Sequence, residues 1–188
     1  MGSDKALLPW PPGAQGSTLL TASISALKPF TESVIVVAGN NFESLAPLAA
    51  AHGALIVQNP APERGQFSSL QTGLRELAAR GYNAAMITLV DCPPLSAASM
   101  QSLCTAFDRA RGMWGVVPEC GGRRGHPLLA GRELIDAFLG ATVTSSARAV
   151  RREHTELIES VPVVDVLGVD VNTPEQYEAL SASADKLP

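Results

Sequence analysis

The stretch Ala84-Ala85-Met86-Ile87-Thr88-Leu89-Val90-Asp91-Cys92-Pro93-Pro94 decides the fold class. Residues 84–90 are a continuous apolar run with no polar face. Such a run needs cover on both sides, as a strand has in a parallel sheet under helices. It stops on a carboxylate, and the carboxyl ends of strands form the rim where open α/β sheets bind ligands. Pro93 and Pro94 end the strand and stiffen the turn, which fixes the direction of Asp91. A carboxylate held in this way suits a hard divalent cation. Mg2+ takes one or two protein carboxylates and completes its shell with substrate phosphates. The competing reading of Asp91 is a cap for a helix that starts near Ser96.

On both sides of this stretch, short apolar runs alternate with helical ones, the signature of βαβ units. Upstream, residues 18–27 read as a helix with Leu19, Leu20, Ile24 and Leu27 near one face. Residues 33–38 (SVIVVA) read as a strand closed by Gly39-Asn40-Asn41. Residues 42–51 read as a helix interrupted at or near Pro47, and residues 54–57 as a short strand. Residues 68–80 form a helix with Leu70, Leu74 and Leu77 on its buried stripe and Gly81 on its C-terminal side. Downstream come a helix over 96–109 and strands over 114–118 and 127–130. Gly121-Gly122-Arg123-Arg124-Gly125 is a tight basic loop between those two strands. Helices over 132–139 and 145–153 and a strand over 161–166 follow. A last helix starts with Thr173 as N-cap and Pro174 at its first position. There is no internal repeat and no linker, so residues 1–188 read as one domain.

The chain is 46% hydrophobic and 17% charged with a net charge of -4, which fits a soluble globular protein and not a disordered one. The basic residues form no long cluster, so no nucleic-acid partner is expected. Arg148, Arg151 and Arg152 read as a solvated helix face. No apolar stretch approaches the ~18 residues of a membrane helix, and the start shows no secretory pattern. Cys92, Cys104 and Cys120 are an odd set without paired spacing, read as reduced thiols of a cytoplasmic protein. The carboxylate of Asp91 beside Cys92 argues against a thiolate nucleophile there.

Three loops can hold a nucleotide. In the first, Lys5 among small residues can act as a point charge for phosphate, or be a surface lysine on a disordered terminus. In the second, Gly65 leads to Ser68 and Ser69 at a helix start. Free N–H groups and hydroxyls there can receive phosphate or ribose, or the serines can be plain caps. The third, residues 121–127, ends Gly125-His126-Pro127 and can offer cationic groups over a site, its glycines allowing close approach, or its lone His can be structural and its two arginines solvated.

In this order, these segments resemble the nucleotidyltransferases of molybdenum cofactor maturation, closest to the molybdenum cofactor cytidylyltransferase branch. The resemblance rests on Met1-Gly2-x-x-Lys5-x-Leu7-Leu8-Pro9, Gly65-x-x-Ser68-Ser69-Leu70-x-x-Gly73-Leu74 and Leu89-x-Asp91-x-Pro93. It continues through Arg124-Gly125-His126-Pro127 and Val171-Asn172-Thr173-Pro174-Glu175. It implies a Rossmann-like three-layer nucleotidyltransferase fold, a mostly parallel sheet with helices on both faces. It also implies Mg2+-dependent transfer of a nucleoside monophosphate from an NTP to the phosphate of molybdopterin, with pyrophosphate leaving. By the same resemblance Asp91 and Lys5 are the catalytic pair, and Asp91 with Asn172 holds the metal. Lys5, Gly65, Ser68 and Ser69 bind the nucleotide, and Arg124 and His126 face the acceptor. Related sequences often carry Asp where Asn172 stands, and an amide is a neutral, weaker ligand. CTP is favoured over GTP through Ser68-Ser69-Leu70, and a molybdoenzyme or its chaperone is the expected protein partner of a monomer.

In that family a first strand and a Gly-rich loop precede the Met-Gly of the first motif. This sequence begins at that Met, so the resemblance implies a longer natural protein or a lost nucleotide loop. A sheet without that strand leaves backbone groups and apolar side chains without partners. Two other functional readings stay open: a degenerate protein that binds nucleotide or cofactor without transferring it, and a sugar- or polyol-phosphate nucleotidyltransferase.

Overall fold

The computed structural model describes residues 4–165 and Tyr177; the expected last helix from Thr173 lies outside the described residues. Among the described residues the strands are β1 (Ile35–Ala38), β2 (Leu55–Gln58), β3 (Ala85–Ile87), β4 (Gly115–Cys120), β5 (Arg123–Arg124), β6 (Leu128–Ala130) and β7 (Ile158–Pro162). The helices are α1 (Leu19–Leu27), α2 (Phe42–Ala51), α3 (Gln66–Ala79), α4 (Ala97–Arg109), α5 (Arg132–Gly140) and α6 (Ala147–Glu153). No helix among these residues is long and apolar enough to cross a membrane.

The strands form two separate ladders. β1 and β2 pair in parallel, Ile35 opposite Leu55. In the second sheet β6 lies antiparallel between β3 and β4, and β7 runs parallel to β4 on its other side. The sheet is therefore mixed and not mostly parallel. The reason is local: Gly121 and Gly122, at φ +58° and +75°, make a two-residue turn that folds Arg123 and Arg124 back onto β4. The expected basic loop is thus a hairpin, and β6 continues it antiparallel to β4.

Side-chain alternation puts the helices on both faces. Val117, Leu128 and Ala130 pack into a core with Leu74 of α3, Phe138 of α5 and Val150 of α6. Their neighbours Val116 and Leu129 point to the other face, against Met100 and Leu103 of α4. Val116 and Val117 are both fully buried, and burial of each such side chain contributes about 1.5–3 kcal/mol. A third core joins α1 and α2 to β1. Two glycines set the packing distance. A Cβ on Gly73 of α3 would lie 2.8 Å from Val37 Cγ2, and one on Gly115 would lie 2.7 Å from the Leu129 carbonyl.

Several boundaries differ from expectation. α2 runs through Pro47 without interruption, because Leu45 and Ala49 anchor it on either side, 4% and 0% exposed. β7 starts at Ile158, three residues before the expected strand, because its register is set by pairing with β4; Val164 is left 93% exposed. The deciding strand is shorter than its apolar run. β3 covers only Ala85–Ile87, since β6 offers three partners, and residues 85–90 are half-buried, not enclosed.

The cause of that exposure is the edge opposite β6. Among the described residues no ladder joins β3 to β1, and the two strands line a common cleft of about 1740 Å³. Val36 and Val37 line it from β1, and Met86, Ile87 and Leu89 from β3 and the residues after it. Unpaired strand edges and apolar walls are what an additional strand would cover. An extended apolar segment fused ahead of residue 1 is expected to raise Tm by several degrees, since ~1 kcal/mol moves a domain of this size by ~2–4 °C. Calorimetry of the short and lengthened chains checks this, and an unchanged Tm would mean that the cleft is not a strand position.

Candidate active site at the carboxyl ends of the strands

The first element is a single 3-10 turn, Lys5–Leu7, capped by Asp4. Asp4 Oδ1 accepts from the Ala6 amide at 3.0 Å, and Asp4 Oδ2 accepts from Asn41 Nδ2 at 2.6 Å. Asn41 Oδ1 in turn accepts from the Gly39 amide, just past the end of β1. This chain of bonds fixes the turn to β1 and directs Lys5 toward the turn beyond β3. Its Nζ lies 3.2 Å from Asp91 Oδ2, in a turn beyond β3. The two residues, 86 positions apart, are 31% and 22% exposed at their side chains. Asp91 does not cap α4. That is done by Ser96, whose side chain accepts from the Ser99 amide.

The second element is the start of α3. Gly65 occupies φ +84°, a conformation other residues adopt only with strain, and is the helix N-cap. Ser68 turns inward: it is 8% exposed, and its hydroxyl bonds the Ala61 and Gly65 carbonyls and accepts from Asn59 Nδ2 at 2.8 Å. Asn59, 1% exposed, also reaches Ser69 Oγ at 3.0 Å and holds the Ala61 amide. The structure thus spends Ser68 on the turn, while Ser69 lines the cleft.

The third element is the β5–β6 region. His126 and Arg124 both line the cleft. His126 Nδ1 lies 3.3 Å from the Ile87 carbonyl at the end of β3. Arg124 donates to Ser160 Oγ at 2.8 Å and to Thr155 Oγ1 at 3.3 Å. Arg151, expected on a solvated face, is half-buried and turned to the same cleft, while Arg148 and Arg152 are exposed. Burial, with Arg124 nearby, pulls the Arg151 guanidinium below its ordinary pKa.

No group of three or more His, Cys, Asp or Glu side chains able to hold a metal exists among the described residues. The donors among the described residues do not form a self-contained protein cage. They fit Mg2+ in the mode where one carboxylate, here Asp91, joins oxygens brought by phosphates and water. Asn172, the other expected ligand, lies outside the described residues. The cysteines form no disulfide, and burial, helped by Asp108, pushes the Cys104 thiol up, as suits a packing group.

Sequence reasoning missed Asp4, Asn41, Asn59 and Asp165. Asp165 accepts from the Ser96 amide at 2.8 Å and from the hydroxyls of Ser96 and Ser99, tying the chain after β7 to the start of α4. Of these only Asn59 stands beside a Gly or Pro, and short polar residues at such places are ordinary in turns.

A lysine and a carboxylate beyond the strand ends, a glycine-led helix start and a basic wall are the candidate site of this α/β fold. The chain belongs to the MobA-like NTP transferase domain family, whose profile matches residues 1–158. It is 29% identical over 184 residues to a probable molybdenum cofactor guanylyltransferase of Rhodopirellula baltica, covering 93% of this chain and 82% of that protein. Its fold is similar to that of Rv0371c from Mycobacterium tuberculosis, with TM-score 0.76 and 18% identity over 97% of this chain and 91% of that one. A crystal structure of Rv0371C in complex with manganese is similar at TM-score 0.73 and 19% identity, over 96% and 93% of the two chains.

Part-exposed ion pairs contribute about 0–1 kcal/mol, so Lys5→Met and Asp91→Asn should each shift Tm by no more than about 4 °C. A larger drop in thermal denaturation would make the pair a structural element and not a site.

Proposed function

We propose that the chain catalyses Mg2+-dependent transfer of a nucleoside monophosphate from an NTP to the terminal phosphate of a molybdopterin-type acceptor, releasing pyrophosphate. The observation that carries this reading is the pairing of Lys5 and Asp91 in the turn beyond β3. An acceptor oxygen forms a bond to the α-phosphorus, and the bond from that phosphorus to the bridging oxygen of pyrophosphate breaks. Both partners are anions, so positioning and charge neutralisation do most of the catalysis. Asp91 is the protein ligand proposed for Mg2+, which when bound supplies charge neutralisation. Lys5, within 3.2 Å of the same carboxylate, is in reach of phosphates gathered there. Ser69 lines the nucleotide side, and Arg124 and His126 the acceptor side.

For the base we place GTP ahead of CTP. The curated relative matched over 184 residues is named a guanylyltransferase. The cytidine preference rested on Ser68-Ser69-Leu70, and the Ser68 hydroxyl is committed to the Asn59 turn. The manganese complex of Rv0371C supports a divalent metal in this fold.

Calorimetric titration with GTP and CTP, each with and without Mg2+, tests the reading. Mg2+-dependent GTP binding is expected. Asp91→Asn should lower pyrophosphate release in the presence of molybdopterin by about 10²–10³-fold, the usual cost of one preorganised electrostatic group. Full activity in that variant would remove Asp91 from the site. Tight nucleotide binding without pyrophosphate release would favour the non-catalytic binding reading, for which the open edges of β1 and β3 speak.

A further inference from the structure

The cleft has two chemically different ends. Between β1 and β3 it is apolar; near α6 it is lined by Arg124, Arg148, Arg151 and Arg152. Arg151 is the unusual member. It is half-buried, yet among the described residues it makes no hydrogen bond and no ion pair; the ion pairs there are Lys5–Asp91, Arg80–Glu76 and Arg132–Asp136. Its charged neighbour is a second guanidinium, that of Arg124, which opposes it. Arg124 is not neutralised either. Glu119 stands directly across the ladder from it, but the guanidinium turns away to Ser160, Thr155 and the Ile158 carbonyl, all uncharged. Two like charges sharing a cleft wall, one of them partly desolvated and without acceptors, are a standing cost to the fold. A ligand that brings two negative charges and several acceptor oxygens removes that cost.

We propose that Arg151 and Arg124 form a receptor for a phosphate dianion at the α6 end of the cleft, and that it holds the terminal phosphate of the acceptor. Planar guanidinium forks match the oxygens of a phosphate in bidentate fashion, and a dianion balances both cations where a single carboxylate would leave one uncompensated. The same chemistry can come from the nucleotide. The acceptor is favoured because Lys5 and Asp91 already serve triphosphate at the strand ends, and His126, held to the Ile87 carbonyl, belongs to the β5–β6 wall between β3 and Arg124. The assignment to the acceptor rests on the transfer reading above; the dianion receptor itself does not.

The test measures binding of inorganic phosphate, pyrophosphate and Mg2+-GTP to the full chain by calorimetry, with thermal denaturation alongside. Arg151→Gln and Arg124→Gln should each weaken phosphate binding at least tenfold and leave Mg2+-GTP binding within twofold. Arg151→Lys, which keeps the charge but not the fork, should fall between. Arg132→Gln, which breaks a surface pair with Asp136, should change nothing. Without phosphate, Arg151→Gln should melt at the same temperature or higher, because it removes an uncompensated cation. Phosphate should raise the Tm of the wild type and not of this variant. Phosphate affinity equal in wild type and Arg151→Gln, or no phosphate binding at all, overturns the receptor. A lower Tm for Arg151→Gln without phosphate overturns it as well, by making Arg151 structural. Loss of Mg2+-GTP binding in parallel with phosphate overturns the acceptor assignment in favour of the nucleotide. Arg151-dependent phosphate binding in a protein that transfers nothing keeps the receptor and removes the acceptor reading alone.

Discussion

Among the described residues the two sheets share no hydrogen-bonded ladder, so there side chains, not backbone, hold them in register. Helix α3 does most of this. Gly73 lets it lie directly on Val37 of β1, while Leu74 enters the core beneath β4 and β6. Gln71 on the same helix is 2% exposed and donates to the Phe138 and Ala141 carbonyls at the end of α5. Those carbonyls would otherwise be orphans of a helix terminus, so the amide both completes α5 and locks it to α3. The second tie is the N-terminal turn, bonded through Asp4 to the end of β1 and through Lys5 to Asp91 beyond β3.

This arrangement makes the site a by-product of how the halves are joined. The same residues that bridge the sheets bring a cation and a carboxylate together at the strand rim, where an α/β sheet presents its ligands. Asn59 works in a similar way behind the α3 start. A buried amide with its donors and acceptor engaged rigidifies what it touches, and here it shapes the Gly65 turn beside the cleft. The same amide bonds both serines of the motif, and of the two Ser69 lines the cleft.

Charge is distributed unevenly along the cleft. In the turn beyond β3 Lys5 is matched by Asp91, with both side chains part-exposed. At the α6 end the guanidiniums make no ion pair among the described residues. Between the ends, the apolar walls of β1 and β3 keep water from their backbone only if something covers them.

The βαβ alternation, the approximate place of most elements and the candidacy of Lys5, Gly65 and Asp91 were legible in the sequence, because periodicity, glycines and prolines are local signals. Thr18, Ser96 and Ser146 cap their helices where short polar residues precede apolar ones. Register and burial were not legible, since pairing partners and not composition set them: β6 limits β3 to three residues, and β4 moves β7 upstream of its expected start. Continuity of α2 through Pro47 was decided by core contacts that outweigh one lost backbone bond. The roles of Asn59, Asp4 and Arg151 depend on groups far away in the chain. By itself the sequence determined the approximate place of most elements and a set of candidate residues for chemistry. The tertiary structure alone decided which of those residues meet, because a hydrogen bond or a charge pair is a matter of a few ångströms in space.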